Sequence, residues 1–232
     1  MQENSNFSNY KFIDREEATI QLCSILPKDK MQRENWLLIA LSKGAILMVE
    51  KIAKELSLEY DVLILIPILA PNNNECQIAM VSETQEIVLH GNLVRSFNIS
   101  KDFIYSEAER KFNSEIVRDR GKFRKSLPFS DVKDRNILLI DDGCETGLSI
   151  LCALKSMINL EAKKVSLALP LIPDDLFSIL DLKLDKIYAK HVIENFISSE
   201  YYYQVLEKLP KKVVQYILES SEYYMPYKKE KN

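Results

Sequence analysis

The segment Ile137-Leu138-Leu139-Ile140-Asp141-Asp142-Gly143-Cys144-Glu145-Thr146-Gly147-Leu148-Ser149 constrains the fold more than any other part of the chain. A short apolar run without polar alternation reads as a strand covered on both faces, which is the habit of parallel sheets. It leads into two carboxylates and a short loop with two glycines and two hydroxyl residues, then into an apolar helical pattern over Ser149 to Leu160. Strand, polar loop and helix in that order make half of a βαβ unit, the crossover that parallel strands require.

The same alternation recurs along the chain. Apolar runs at Trp36 to Leu41, Val62 to Ile68 and Val165 to Leu169 predict further buried strands, and helical patterns span Glu16 to Leu26, Ala45 to Leu56 and Pro210 to Leu218. The expected fold class is therefore α/β, a mostly parallel, doubly wound sheet flanked by helices. With 232 residues, 47% of them apolar, the chain can bury a full-sized core, and one domain with embellishments is expected over 1–232. Residues 1 to 9 and 226 to 232 are expected to fray. Between Ser106 and Arg135, the cations Arg110, Lys111, Arg118, Arg120, Lys122, Arg124 and Lys125 accumulate with little apolar periodicity. A mobile loop over 107–130 and an ordinary solvated helix with linker both fit that pattern.

A net charge of −3 gives no general basis for nucleic-acid binding or for attachment to an anionic membrane. Four cysteines without CxxC spacing and two isolated histidines lack the spacing of a zinc site, and reduced thiols are expected. No apolar run approaches the roughly 20 residues that span a bilayer. Residues 1 to 15 are polar and charged where a signal peptide would be apolar, so a soluble cytoplasmic protein is expected.

The chemistry of the loop follows from its residue types. Gly143 and Gly147 allow close backbone approach, while Thr146, Ser149 and the free N–H groups of the following helix's first turn offer donors to an anion. Those are the parts of a monophosphate cradle. Carboxylates beside such a cradle would repel phosphate, so Asp141 and Asp142 suit hydroxyls or a hydrated Mg²⁺. A plain strand-turn-helix junction, with Asp at the turn and Ser or Thr at the N-cap, uses the same residue types.

Four apolar residues, two acids, three variable residues, Thr-Gly, one variable residue and a Ser: in this order residues 137–149 resemble the motif by which type I phosphoribosyltransferases bind phosphoribosyl pyrophosphate (PRPP). The resemblance implies the PRTase-like, Rossmann-like fold, with a core over about 33–190 and a small hood from terminal elements at about 10–32 and 190–225. It implies transfer of the 5-phosphoribosyl group from PRPP to a small nitrogenous acceptor such as a nucleobase, with release of pyrophosphate. Asp141 and Asp142 would contact ribose hydroxyls or Mg²⁺, and Gly143, Cys144, Glu145, Thr146, Gly147, Leu148 and Ser149 would wrap the 5-phosphate. Trp36 to Leu41 leads into Ser42-Lys43-Gly44, which resembles the family's pyrophosphate loop. Three of the chain's five glycines fall in these two loops.

Phe12-Ile13-Asp14-Arg15-Glu16-Glu17-Ala18 and the segment from Pro71 to Ala79 narrow the similarity to a group of bacterial phosphoribosyltransferase-like proteins, over about Phe12 to Leu218. That group usually carries Arg-Gly-Gly where this chain has Ser42-Lys43-Gly44, and a small residue where Glu145 stands. Both departures are similar to purine-salvage enzymes instead. On that likeness Glu145 is a candidate general base acting on a base nitrogen, beside Asp141 and Asp142 as catalytic residues. Loss of Arg-Gly-Gly also suits a PRPP- or nucleotide-binding regulatory protein without turnover, and a flavodoxin-like phosphate binder needing no Mg²⁺ is a third reading. A homodimer is expected from the fold. Phe196 and Tyr201 to Tyr203 suit packing, or stacking on a base. Asp174 and Asp175 read as helix N-caps, and Cys144 as a small filler in the phosphate loop.

Overall fold

In a computed structural model that describes residues 11–228, the chain runs in order through α1 (Arg15–Cys23), α2 (Lys28–Arg33), β1 (Leu37–Ala40), α3 (Lys43–Leu56), β2 (Tyr60–Val62), β3 (Leu65–Ala70), β4 (Asn73–Ser82) and β5 (Ile87–Leu89). It continues through α4 (Gly91–Ser96), α5 (Lys101–Lys111), α6 (Val117–Arg124), β6 (Asn136–Ile140), α7 (Leu148–Asn159), β7 (Lys164–Pro173), α8 (Asp174–Asp181), β8 (Lys186–Ile193), α9 (Lys211–Ser220) and α10 (Met225–Lys228). The first sheet is parallel, with strand order β2-β1-β6-β7-β8. The second is antiparallel, with order β3-β4-β5.

Side-chain alternation explains why the unalternated apolar runs form the middle of the parallel sheet. Leu37, Ile39, Ile137, Leu139 and Leu167 enter one apolar cluster, while Leu38, Ala40, Leu138, Ile140 and Ala168 enter another on the opposite face. Every residue of β1 and β6 is buried. Each Leu or Ile sealed this way contributes about 1.5–3 kcal/mol.

The expected strands over Trp36 to Leu41, Ile137 to Ile140 and Val165 to Leu169 are present, as are the four predicted helices. Val62 to Ile68 is not one strand. It divides at Leu63 and Ile64, with Tyr60–Val62 closing the edge of the parallel sheet and Leu65–Ala70 opening the antiparallel one. The basic stretch is helical rather than a loop: α5, a π-helical turn at Phe112–Ile116 and α6 follow without a break. Nor is it wholly solvated, because Arg124 is buried against Asp61 and Glu83. Residues 226 to 228, expected to fray, belong to α10, where Tyr227 is buried. Residues 1 to 9 and 229 to 232 lie outside the described residues. Among the described residues no helix is long and apolar enough to cross a membrane.

Candidate functional site

Strand order reverses between β1 and β6: β1 leads outward to β2, and β6 leads the other way to β7 and β8. The two strands run parallel and in register, Leu37 beside Ile137 and Ala40 beside Ile140, so their carboxyl ends open side by side. In open α/β sheets this switch point is where ligands bind. Both segments singled out in the sequence, 42–44 and 141–149, leave the sheet there.

The β6–α7 loop lines a cavity of about 300 Å³, formed by Asp141 to Gly147 with Ser149, Ile150, Gln77 and Ser199. Gly147 adopts φ +71° as the residue before α7, a left-handed conformation that glycine takes at least cost. The turn it makes leaves the first N–H groups of α7 facing the loop end of the sheet. Leu148 is buried in α7's first turn and packs against Met80 and Cys152, so it anchors the helix rather than lining the cavity. Cys144 is buried and its thiol is pushed up to about 12, mainly by that burial, which suits a filler and not a nucleophile.

Asp141 is buried, and its Oδ1 accepts from the Asp142 N–H at 3.0 Å. Burial, with the neighbouring Asp142 carboxylate second, pushes its carboxyl well above the usual carboxylate range. Asp142 is gripped from three sides. Arg15 Nε stands 2.7 Å from its Oδ2, Ser42 Oγ 3.4 Å from its Oδ1, and the Tyr203 hydroxyl donates to its backbone carbonyl at 2.7 Å. Arg15 is held in turn, its Nη1 donating to the Glu207 carbonyl at 2.6 Å. The segment before α1 and the segment after β8 meet to arrange this: Phe12 N–H donates to the Tyr202 carbonyl and Gln204 N–H to the Phe12 carbonyl, both at 2.8 Å.

Lys43 and Gly44, expected in a loop, are the first two residues of α3, because the Ser42 hydroxyl caps the helix by accepting from Ala45 N–H at 3.1 Å. Gly44 is dictated by space: a Cβ there would lie 2.0 Å from Asp142 Oδ2 and 2.8 Å from Arg15 Nε. Ser42 and Gly44 are thus brought against Asp142. Lys43 is not; it lines a second cavity of about 270 Å³ with Arg118, Asp119 and Lys211, which shares no residue with the first. Burial pulls the Lys43 ammonium below its ordinary value, against the opposing pull of Asp119.

Glu145 is exposed at the cavity edge, and its Oε1 accepts from Ser199 N–H at 3.1 Å. Tyr202 and Tyr203 are buried and pack, whereas Phe196, stacked on Tyr202 at 5.2 Å, is half-buried and Tyr201 is exposed. Asp174 and Asp175 occupy the first turn of α8 and do not cap it; the N-cap position is Pro173. Arg15, Tyr203 and Ser199 were not picked out as site residues. Arg15 sits in the quoted Phe12–Ala18 segment, where Asp14 is explained as the α1 cap, accepting from Glu17 N–H at 2.9 Å. Tyr203 belongs to the aromatic run read for packing or stacking, which gives no sign of its hydrogen bond to Asp142, and nothing local marks Ser199.

Among the described residues no three His, Cys, Asp or Glu side chains group to hold a metal by themselves. Two adjacent carboxylates nevertheless fit Mg²⁺, which usually keeps several waters and takes one or two carboxylates together with substrate phosphates.

The family model of the phosphoribosyl transferase domain matches residues 14–203. The chain belongs to this family. A Mycobacterium tuberculosis protein, in strains CDC 1551 and H37Rv, whose name assigns it provisionally to the phosphoribosyl transferases, is 27% identical over 165 residues. That match takes in 71% of this chain and 37% of the relative, so the chain spans little more than a third of that protein's length. The crystal structure of TT1426 from Thermus thermophilus superposes with a TM-score of 0.72 and 26% identity, over 92% of this chain and 99% of that one. Family membership overturns the flavodoxin-like reading, which shares the strand order but not the family.

Proposed function

We propose that this chain transfers the 5-phosphoribosyl group of PRPP to a small nitrogenous acceptor, such as a nucleobase, and releases pyrophosphate. The observation that carries the reading is the cavity at the sheet's switch point, lined without a gap by Asp141 to Gly147 in a member of the phosphoribosyl transferase domain family. On this reading Gly143 to Ser149 hold the 5-phosphate, with the amides at the start of α7 facing its charge. Asp141 and Asp142 take the ribose hydroxyls, and the Ser42 to Gly44 turn receives the pyrophosphate. The terminal elements at about 10–32 and 190–225 form the hood over the core.

Transfer breaks the bond between ribose C1 and the pyrophosphate oxygen, with both electrons leaving on pyrophosphate, while the acceptor nitrogen bonds to C1. Positive charge grows on the ribose ring as this happens, and fixed carboxylates beside the ring stabilise it. On this reading Glu145, exposed at the cavity edge, accepts the proton that the acceptor nitrogen gives up. Mg²⁺ on Asp141 and Asp142, when bound, would offset the charge of the leaving pyrophosphate.

A PRPP- or nucleotide-binding regulatory protein without turnover is the second reading. The direction of Lys43, whose side chain lines the second cavity, favours it, because the pyrophosphate loop then brings no cation to the Asp142 side. Calorimetric titration of PRPP with and without Mg²⁺, on the wild type and on Asp141→Asn/Asp142→Asn, tests the common part of both readings. Mg²⁺-dependent binding lost in the double variant is the expected result. Pyrophosphate release on addition of a nucleobase then separates enzyme from regulator, and a folded wild type that binds no PRPP sinks both.

A further inference from the structure

A buried amide from the second sheet faces the same cavity. Gln77 Nε2 is buried and has no hydrogen-bond partner among the described residues, although Gln77 lines the cavity together with the β6–α7 loop. A buried donor without an acceptor is costly and therefore rare.

The backbone shows how Gln77 comes to point there. Strand β4 packs against α7, and Met80 is its contact, clustered with Leu148 and Cys152. Strict alternation from Met80 would turn Ile78 toward α7 and send Gln77 to the other face with Ala79 and Val81. The β3–β4 ladder breaks that alternation: Ile68 pairs with Ala79 but Leu69 pairs with Gln77, leaving Ile78 as the extra residue of a bulge. Ile78 and Ala79 accordingly both enter the cluster that holds Val81. Gln77 is turned to the α7 side, into the cavity. Bulges beside functional sites commonly re-aim a side chain in this way.

We propose that Gln77 contacts substrate, donating its amide N–H to a phosphate oxygen of the phosphoribosyl ligand held by the start of α7. The proposal rests on the phosphoribosyl reading of the cavity. It assigns the antiparallel sheet a direct part in binding: β4 adds a side-chain amide donor to a cavity otherwise lined by the β6–α7 loop, the first turn of α7 and Ser199.

Ribose 5-phosphate and PRPP are titrated calorimetrically into the wild type, Gln77→Met and Gln77→Glu, and the melting temperature of each ligand-free protein is measured. Met keeps the bulk without the donor, and Glu replaces the donor with a charge that repels phosphate. Gln77→Met is expected to weaken ribose 5-phosphate by about 10- to 100-fold, the range for a hydrogen bond to a charged acceptor. Gln77→Glu should weaken it further. The ligand-free Gln77→Met protein should melt at or above the wild-type temperature, since an unsatisfied buried amide has been removed; a structural residue would move it down. Wild-type affinity in both variants, or a clear fall in the ligand-free melting temperature of Gln77→Met, overturns the role of Gln77 and leaves the phosphoribosyl reading standing. A folded wild type that binds neither ligand overturns that reading and the Gln77 role with it.

Discussion

Replacing Arg124 with Met tests what holds the basic segment in place. Arg124 ends α6 with its side chain fully buried between Asp61, also fully buried, and Glu83. Its Nη2 donates to Glu83 Oε1 and to the Val62 carbonyl at 3.2 Å, and its Nε stands 3.7 Å from Asp61 Oδ1. Backbone donors complete the two carboxylates: Ser130 N–H reaches Asp61 Oδ2 at 3.0 Å, and Ile64 N–H reaches Glu83 Oε1 at 2.8 Å. One buried cation thus serves two buried anions, and the partly exposed Arg120 adds its Nε at 3.6 Å from Glu83 Oε2. Removing the Arg124 cation while keeping the apolar stem leaves both carboxylates desolvated, and breaking a buried pair from one side costs about 3–5 kcal/mol. At about 2–4 °C per kcal/mol for a chain of this size, the melting temperature should fall by about 6–20 °C.

The same variant carries a pH signature. Burial raises the Glu83 carboxyl above its ordinary value, and Arg124 is the main influence pulling it back. A raised value means that the folded state keeps a proton that the unfolded state has released, so Glu83's contribution to stability falls as pH rises through that window. Without Arg124 the window extends upward. The deficit of Arg124→Met should therefore be largest near pH 8 and shrink toward pH 5, read by calorimetric melts of both proteins across that range. A variant melting within about 2 °C of the wild type at pH 8, or a deficit that acidification does not reduce, would refute the reasoning. Adding Glu83→Met to Arg124→Met should recover part of the loss, because one stranded charge is then gone.

Gly147→Ala should destabilise by about 1–2 kcal/mol, the cost of a side chain at positive φ; the added Cβ meets only Leu176, its Cδ2 at an ordinary 3.5 Å, so denaturant melts should show strain without a packing loss. Gly44→Ala should displace the Asp142 carboxylate from Arg15 and weaken PRPP by about tenfold or more in a folded protein, as loss of a charged contact does; calorimetric titration checks it. Iodoacetamide at pH 8 should give a single adduct on the native protein, at the partly exposed Cys76, because Cys23, Cys144 and Cys152 are buried and burial lifts the Cys23 and Cys152 thiols to about 12. Mass spectrometry reads the number of adducts, and denaturation should expose all four cysteines.

What could be read from the sequence was local. Strands buried on both faces reveal themselves as unbroken apolar runs, and β1, β6 and β7 are of that kind. Strands that face a sheet edge or another layer on one side do not. In β8 the run Lys186-Ile187-Tyr188-Ala189-Lys190-His191 mixes charge with apolar residues because most of its positions are only half-buried. In β4 the exposed first half, Asn73 to Glu75, hides the buried second half. The Val62 to Ile68 run was apolar throughout but spans a change of sheet, and composition carries no mark of the point where hydrogen-bond partners change. The basic stretch concealed Arg124's burial for a similar reason: its partners Asp61 and Glu83 lie far away in sequence.

The site divides along the same line, and the division explains its construction. Asp141, Asp142 and Gly147 lie in one contiguous local pattern that the structure places at the end of β6, while Ser42, expected in a loop, caps α3. Asp141 is pushed well up by its burial at the end of the strand first, and by the neighbouring Asp142 carboxylate second. A cation from elsewhere holds the second carboxylate in place. It comes from Arg15, whose approach requires that residue 44 have no side chain, and whose own position depends on the segment 202–207 meeting the start of the chain. Tyr203 fastens the same aspartate by its backbone carbonyl, and Ser199 engages Glu145. Arg15 and the segment 199–207 are thus bound to the loop that would hold the ribose, and a displacement of either displaces Asp142. Loss of Tyr203's hydroxyl should therefore act on ligand affinity through Asp142, although the hydroxyl itself is absent from the residues lining the cavity.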